Sequence, residues 1–88
     1  AHLANLTNLK KLNLDKSKVG DGAMEVVSQF NDLEWLHIGS NDKITDAGAA
    51  KLTALKKLGY LNITFLLISD DVIYDLEDIL LECQIVGP

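Results

Sequence analysis

The feature that most narrows what this chain can fold into is an apolar triplet with the spacing L-x-x-L-x-L, repeated along its length. The triplet is clearest as Leu33, Leu36 and Ile38. It occurs upstream as Leu9, Leu12 and Leu14, and downstream as Leu58, Leu61 and Ile63. A degraded fourth copy reads Leu80, Cys83 and Ile85, so the copies begin 24, 25 and 22 residues apart. In the first three copies the second and third positions enclose one polar residue, the period of two that a half-buried strand requires. A recurrence of this length marks a supersecondary unit that cannot bury its apolar face alone, so neighbouring units must stack to make one core.

The segments between triplets carry helix signals. After the first triplet, Val19 points inward and Gly20 and Gly22 let the chain reverse. Residues 23–30 then place Met24, Val27 and Phe30 at three-residue intervals, which predicts a short helical return with one apolar stripe. After the second triplet come Asn41, Ile44 and the run Thr45-Asp46-Ala47-Gly48-Ala49-Ala50. Thr45 or Asp46 is expected to cap that helix, and the alanines allow close packing. After the third, Ser69 and Asp70 are expected to open a longer helix running to about Leu81. Val72, Ile73, Leu76, Ile79 and Leu80 would form its apolar stripe, with acids at its start where the macrodipole favours them.

The triplets, together with Asn41 and the I-T-D-A-G-A-A-K-L run over residues 44–52, resemble leucine-rich-repeat proteins over nearly the whole chain. The similarity is to the helix-bearing intracellular subclasses: bacterial effector repeats, F-box-associated repeats and the ribonuclease-inhibitor type. The resemblance implies an α/β leucine-rich-repeat solenoid, with a short parallel sheet on the concave side and helices on the convex side. It would form one domain over residues 1–88. A partial repeat covers 1–8, full repeats cover 9–32, 33–57 and 58–79, and a terminal strand lies in 80–88. The resemblance further implies that the Asn41 amide lies inside its turn and bonds to backbone groups left unpaired there. Ser17 and Leu66 stand at the corresponding places of the neighbouring repeats.

In such a stack, residues at equal repeat positions line up across the sheet about 4.8 Å apart. One exposed row would be Lys11, Trp35, Tyr60 and Glu82, and the next Asn13, His37, Asn62 and Gln84. Beyond them lie Asp15, Gly39 and Thr64, then Lys16, Ser40 and Phe65. Exposed aromatics beside hydrogen-bonding groups are the chemistry of protein-interface hot spots. The expected contact surface is therefore Trp35, His37, Tyr60, Asn62 and Phe65, with Lys11, Asn13 and Asp15 as its polar rim. The competing reading is cross-strand aromatic packing that stabilises the sheet.

Charge and composition bound the remaining classes. The 88 residues carry a net charge of −5, and the four lysines Lys10, Lys11, Lys16 and Lys18 lack interleaved aromatics, so nucleic-acid binding is not expected. The charge is uneven: lysines dominate residues 1–18, whereas residues 70–88 carry six acids and no base. That asymmetry suggests an alternative role, a capping or assembly unit that self-associates end to end through open strand edges. No stretch of about 18 uninterrupted apolar residues predicts a membrane span. Cys83, the only cysteine, takes the slot of Leu12, Leu36 and Leu61 and is expected to be a buried hydrophobe. With no disulfide partner and no signal peptide in view, an intracellular setting is expected. His37 and Cys83 would lie on opposite sheet faces two repeats apart, too far for metal ligation or nucleophilic catalysis. No cofactor, metal or enzymatic activity is expected, and the function expected is binding of a protein partner.

Overall fold

The computed structural model describes residues 9–87, so the partial repeat expected over 1–8 lies outside the described residues, as does Pro88. The chain forms a mixed α/β fold in which short strands alternate with helical segments. Strand β1 is Lys11–Asn13, helix α1 Asp21–Val27, β2 Trp35–His37 and α2 Asp46–Ala50. A 3-10 turn at Lys51–Ala54 continues α2, followed by β3 Tyr60–Asn62, α3 Asp70–Ile79 and β4 Gln84–Val86. The four strands pair in parallel in chain order, β1-β2-β3-β4. Parallel neighbours require crossover connections, and the helices supply them, with α1 packed beside α2 and α2 beside α3.

Each strand is three residues long because only its central residue faces the core before the chain turns away. Leu12, Leu36 and Leu61 stand in register at that centre, and Leu36 and Leu61 are completely buried. Full burial of one such leucine contributes about 1.5–3 kcal/mol. The third triplet positions, Ile38 and Ile63, are equally buried, and so are Met24, Leu52 and Leu76 from the helical side. One continuous apolar layer therefore lies between sheet and helices.

The fourth strand corrects the sequence alignment. Ile85, not Cys83, pairs with Leu61, while Gln84 pairs with Tyr60 and Val86 with Asn62. The turn ahead of the strand explains the shift. Leu33 N–H donates to Phe30 O, Leu58 N–H to Leu55 O, and Cys83 N–H to Leu80 O. Cys83 thus stands where Leu33 and Leu58 stand, at the start of the triplet, and one residue fewer separates it from the strand centre. It is half-buried rather than enclosed. The outward rows accordingly end in Gln84 and Val86, not in Glu82 and Gln84.

The turns after the strands repeat a left-handed backbone at matching places: Lys16 (φ 55°), Ser40 (φ 60°) and Phe65 (φ 61°). Outside glycine this conformation costs about 1–2 kcal/mol per residue. Cross-turn bonds hold it in place, Lys16 N–H to Gly39 O at 3.1 Å and Ser40 N–H to Thr64 O at 2.9 Å. Inside the second turn Asn41 is fully buried. Its Nδ2 lies 2.8–3.0 Å from the carbonyls of Leu14, Ile38 and Gly39, and its Oδ1 accepts from Val19 N–H at 3.2 Å. Those contacts tie the first turn to the second through one side chain. Leu66, in the next turn, is buried at the same place without any polar atom.

The helix caps differ from expectation. Thr45 is the residue ahead of α2, but its side chain makes no cap bond. Its hydroxyl and its N–H both donate to the Asp21 carboxylate, the N–H at 2.8 Å. Asp46 repeats the pattern one unit on, accepting from Ser69 N–H at 2.8 Å. A carboxylate in the first turn of one helix thus receives the backbone donor that opens the next. Gly48 is required by this arrangement, since a Cβ there would sit 2.1 Å from Asp21 Oδ1. Helix α3 is capped as expected, with Ser69 Oγ accepting from Val72 N–H at 3.4 Å. Its stripe is narrower than expected: Val72, Leu76 and Leu80 are buried, whereas Ile79 is 43 % exposed. The helix stops at Ile79, and Leu81 lies 82 % exposed.

Candidate functional site

Residues on either side of each central leucine point away from the core, so the outer face of the sheet is built from flanking pairs. The row preceding the central position runs Lys11, Trp35, Tyr60, Gln84. Trp35 and Tyr60 lie parallel, with ring centroids 5.2 Å apart and an interplanar angle of 10°. Lys11 Nζ sits over the Trp35 ring, 4.7 Å from its centroid. Both faces of the indole are therefore engaged within the chain. An aromatic pair contributes about 0.5–1.5 kcal/mol beyond burial, and an exposed cation–π contact about 0.5–1 kcal/mol. Both rings are only half-buried, so what they offer a partner is chiefly ring edges.

The second row, Asn13, His37, Asn62 and Val86, has a local task that the sequence did not reveal. Asn13 Oδ1 accepts from Asp15 N–H at 3.0 Å, His37 Nδ1 from Gly39 N–H at 3.1 Å, and Asn62 Oδ1 from Thr64 N–H at 3.0 Å. Each side chain thus satisfies the backbone donor two residues on, where the strand ends. Asn62 is used further, accepting from Thr64 Oγ1 and donating from Nδ2 to Tyr60 Oη at 3.0 Å. Asp15 Oδ1 approaches His37 Nδ1 only to 4.0 Å. Because that nitrogen already accepts the Gly39 proton, the contact is a loose polar approach and not an ion pair. Gly39 makes room for this packing: a Cβ there would lie 2.7 Å from His37 Cε1.

Phe65, at the end of the third turn, is 76 % exposed. The eight residues expected to form a contact surface thus occupy β1, β2, β3 and the turns that follow them. Trp35, Tyr60, His37 and Lys11 are brought together directly, with the Trp35 and His37 rings 6.2 Å apart and tilted by 58°. Asn13 and Asn62 have their Oδ1 acceptors already committed. Their remaining outward polar atoms are fewer than residue type alone implies.

Some ionisable groups elsewhere have structural partners. The Thr45 hydroxyl and N–H hold the Asp21 carboxyl below its ordinary value, and the Lys57 ammonium does the same for Asp32 at 2.9 Å. The Lys57 ammonium is raised in return. Burial pushes the Cys83 thiol up, the opposite of what an activated nucleophile needs. Among the described residues, no group of three or more His, Cys, Asp and Glu side chains is placed to hold a metal ion. No helix among them is long and apolar enough to cross a membrane.

The structure also divides the basic patch read from sequence. Lys11 belongs to the aromatic row, whereas Lys16 and Lys18 line a depression with Ser40, Asp42 and Lys43. The contribution of Lys43 comes from the pairing of its loop with Gly20, which no local motif announces. The chain matches no protein-family model, no curated protein and no solved structure.

Proposed function

We propose that this chain is a leucine-rich-repeat solenoid segment that binds a protein partner through the outer, concave face of its sheet. The observation that carries the reading is the half-exposed Trp35–Tyr60 stack, braced by Lys11 and bordered by His37, at the centre of that face. Rigid aromatics at the middle of a surface, with their rotamers already fixed, lose little entropy on binding. His37, Asn62 and Asn13 hold the strand ends in shape, Asp15 lies beside His37, and Phe65 and Lys11 extend the contact area at either side. In-register parallel strands, 24 or 25 residues apart at their central positions, support the repeat assignment. The role is non-enzymatic and needs no cofactor, and a lone half-buried thiol suits an intracellular, reducing setting.

The test is a pull-down comparing the wild-type chain with Trp35→Ala/Tyr60→Ala, alongside far-UV circular dichroism. Lost capture with a retained cooperative transition supports the proposal. If the double variant no longer folds, the stack serves the sheet itself and the reading fails.

A second reading, end-to-end self-association, draws on the edge position of β4 in the sheet and on two exposed leucines, Leu67 at 76 % and Leu81 at 82 %. The acids of α3 would face Lys10, Lys11, Lys16 and Lys18, at and around β1, on another copy. Light scattering at low and high salt decides it: a salt-sensitive dimer supports the assembly, and a monomer at every concentration ends it.

A further inference from the structure

The depression beside the first two turns is assigned here a ligand of its own. It has a volume of about 400 Å³ and is lined by Lys16, Lys18, Ser40, Asp42 and Lys43. We propose that it binds a phosphomonoester dianion, with the three lysine ammonium groups and the Ser40 hydroxyl as donors.

The charge of the depression favours an anion. Three lysines against one aspartate leave a local excess of two positive charges in a chain whose net charge is −5. Among the described residues, the ion pairs with lysine join Lys51 to Glu25 and Lys57 to Asp32, and none involves Lys16, Lys18 or Lys43. A phosphomonoester carries about −1.5 to −2 charges near neutral pH and three acceptor oxygens, which matches both the excess and the donor set. A single carboxylate would leave part of the charge uncompensated.

The backbone around the depression is also preorganised. The two loops that carry these side chains are fastened to each other rather than hanging free. Asn41 bonds to Val19 N–H and Leu14 O across them, Lys16 N–H donates to Gly39 O, and Gly20 pairs with Lys43. Gly20 permits that pairing at close range, since a Cβ would lie 3.1 Å from Lys43 Cβ. Lysine identity is also unexplained by the backbone. Lys16 and Lys18 both hold left-handed conformations, and glycine would hold them without strain. A ligand contact supplies the reason that conformation does not.

The site lies in the turns beyond β1 and β2 and stands independently of the proposed partner surface. Its test is a heteronuclear NMR titration of the whole chain at constant ionic strength. One arm uses inorganic phosphate, a second a short peptide with one phosphoserine, and a third the same peptide unphosphorylated. Saturable shifts confined to residues 16–20 and 39–43, seen with phosphate and phosphopeptide but not with the plain peptide, support the site. Tighter binding of the phosphopeptide than of inorganic phosphate points to a phosphorylated partner, and equal binding to a small phosphate compound. Loss of any one lysine should weaken binding about three- to fivefold, and Asp42→Asn should strengthen it by a similar factor. Shifts that rise linearly, match those from sodium chloride, or persist unchanged in Lys16→Gln/Lys43→Gln overturn the proposal.

Discussion

Replacement of Asn41 by leucine probes whether one buried amide holds the first two units together. The next unit shows that the swap is sterically feasible, because Leu66 fills the same place. The carbonyls of Leu14 and Gly39 each accept a second backbone bond, from Ser17 and Lys16. The loss therefore falls on the Val19 N–H and the Ile38 carbonyl. Each buried polar group left without a partner costs about 1–3 kcal/mol, so the variant should lose about 2–6 kcal/mol. That is a large share of the roughly 4–13 kcal/mol expected for a domain of this length. The melting temperature should fall by at least about 8 °C. Urea unfolding followed by Trp35 fluorescence measures the change, and amide exchange at Val19 should accelerate beyond that of the sheet as a whole. Asn41→Asp sharpens the test: it keeps the acceptor for Val19 but turns a second oxygen toward three carbonyls, and should be no better than leucine. A loss below about 0.5 kcal/mol for Asn41→Leu, with normal Val19 exchange, would refute the reasoning and make Asn41 interchangeable with Leu66.

Two further outcomes follow from the packing and the charges. If Ile85 holds the strand-centre place, Ile85→Ala should cost about 1–2 kcal/mol, allowing for its partial exposure, and more than Cys83→Ala; the reverse order in chemical denaturation would restore the alignment read from sequence. Asp21 and Asp32 have carboxyl groups held below 3.8 in the fold, by Thr45 and by Lys57. Their contribution is therefore present above that value, declines as pH falls through it, and is gone once the lowered native values are passed. Melting temperatures from pH 6 to pH 2 should drop less steeply in Asp21→Asn/Asp32→Asn than in the wild type, and parallel curves would show that these contacts do not contribute.

The sequence by itself determined the alternation of strand and helix, the identity of the core leucines and the adjacency of Trp35 and Tyr60. All three depend on spacing alone. A residue at a given distance past a triplet meets its counterpart in the next unit, whatever the side chain. Leu36 and Leu61 face inward for that reason, and the two aromatic rings before them stack. The place of Asn41 was legible only through the resemblance to leucine-rich repeats, since its polar neighbours Ser40, Asp42 and Lys43 do not single it out. Tertiary structure decided the rest, because it depends on angles and contacts between units that no local pattern encodes. The register of β4 turned on the Cys83–Leu80 turn bond, which removed one residue from the spacing. Thr45 gave its hydroxyl to Asp21 in the preceding unit instead of capping its own helix. The amides and the imidazole of the second row spent their acceptors on strand-end N–H groups, which lowers their capacity to bind anything else. Lys43 joined Lys16 and Lys18 only when Gly20 let two loops touch. Periodicity says which residues are neighbours, and the folded backbone says which of their polar atoms are still free.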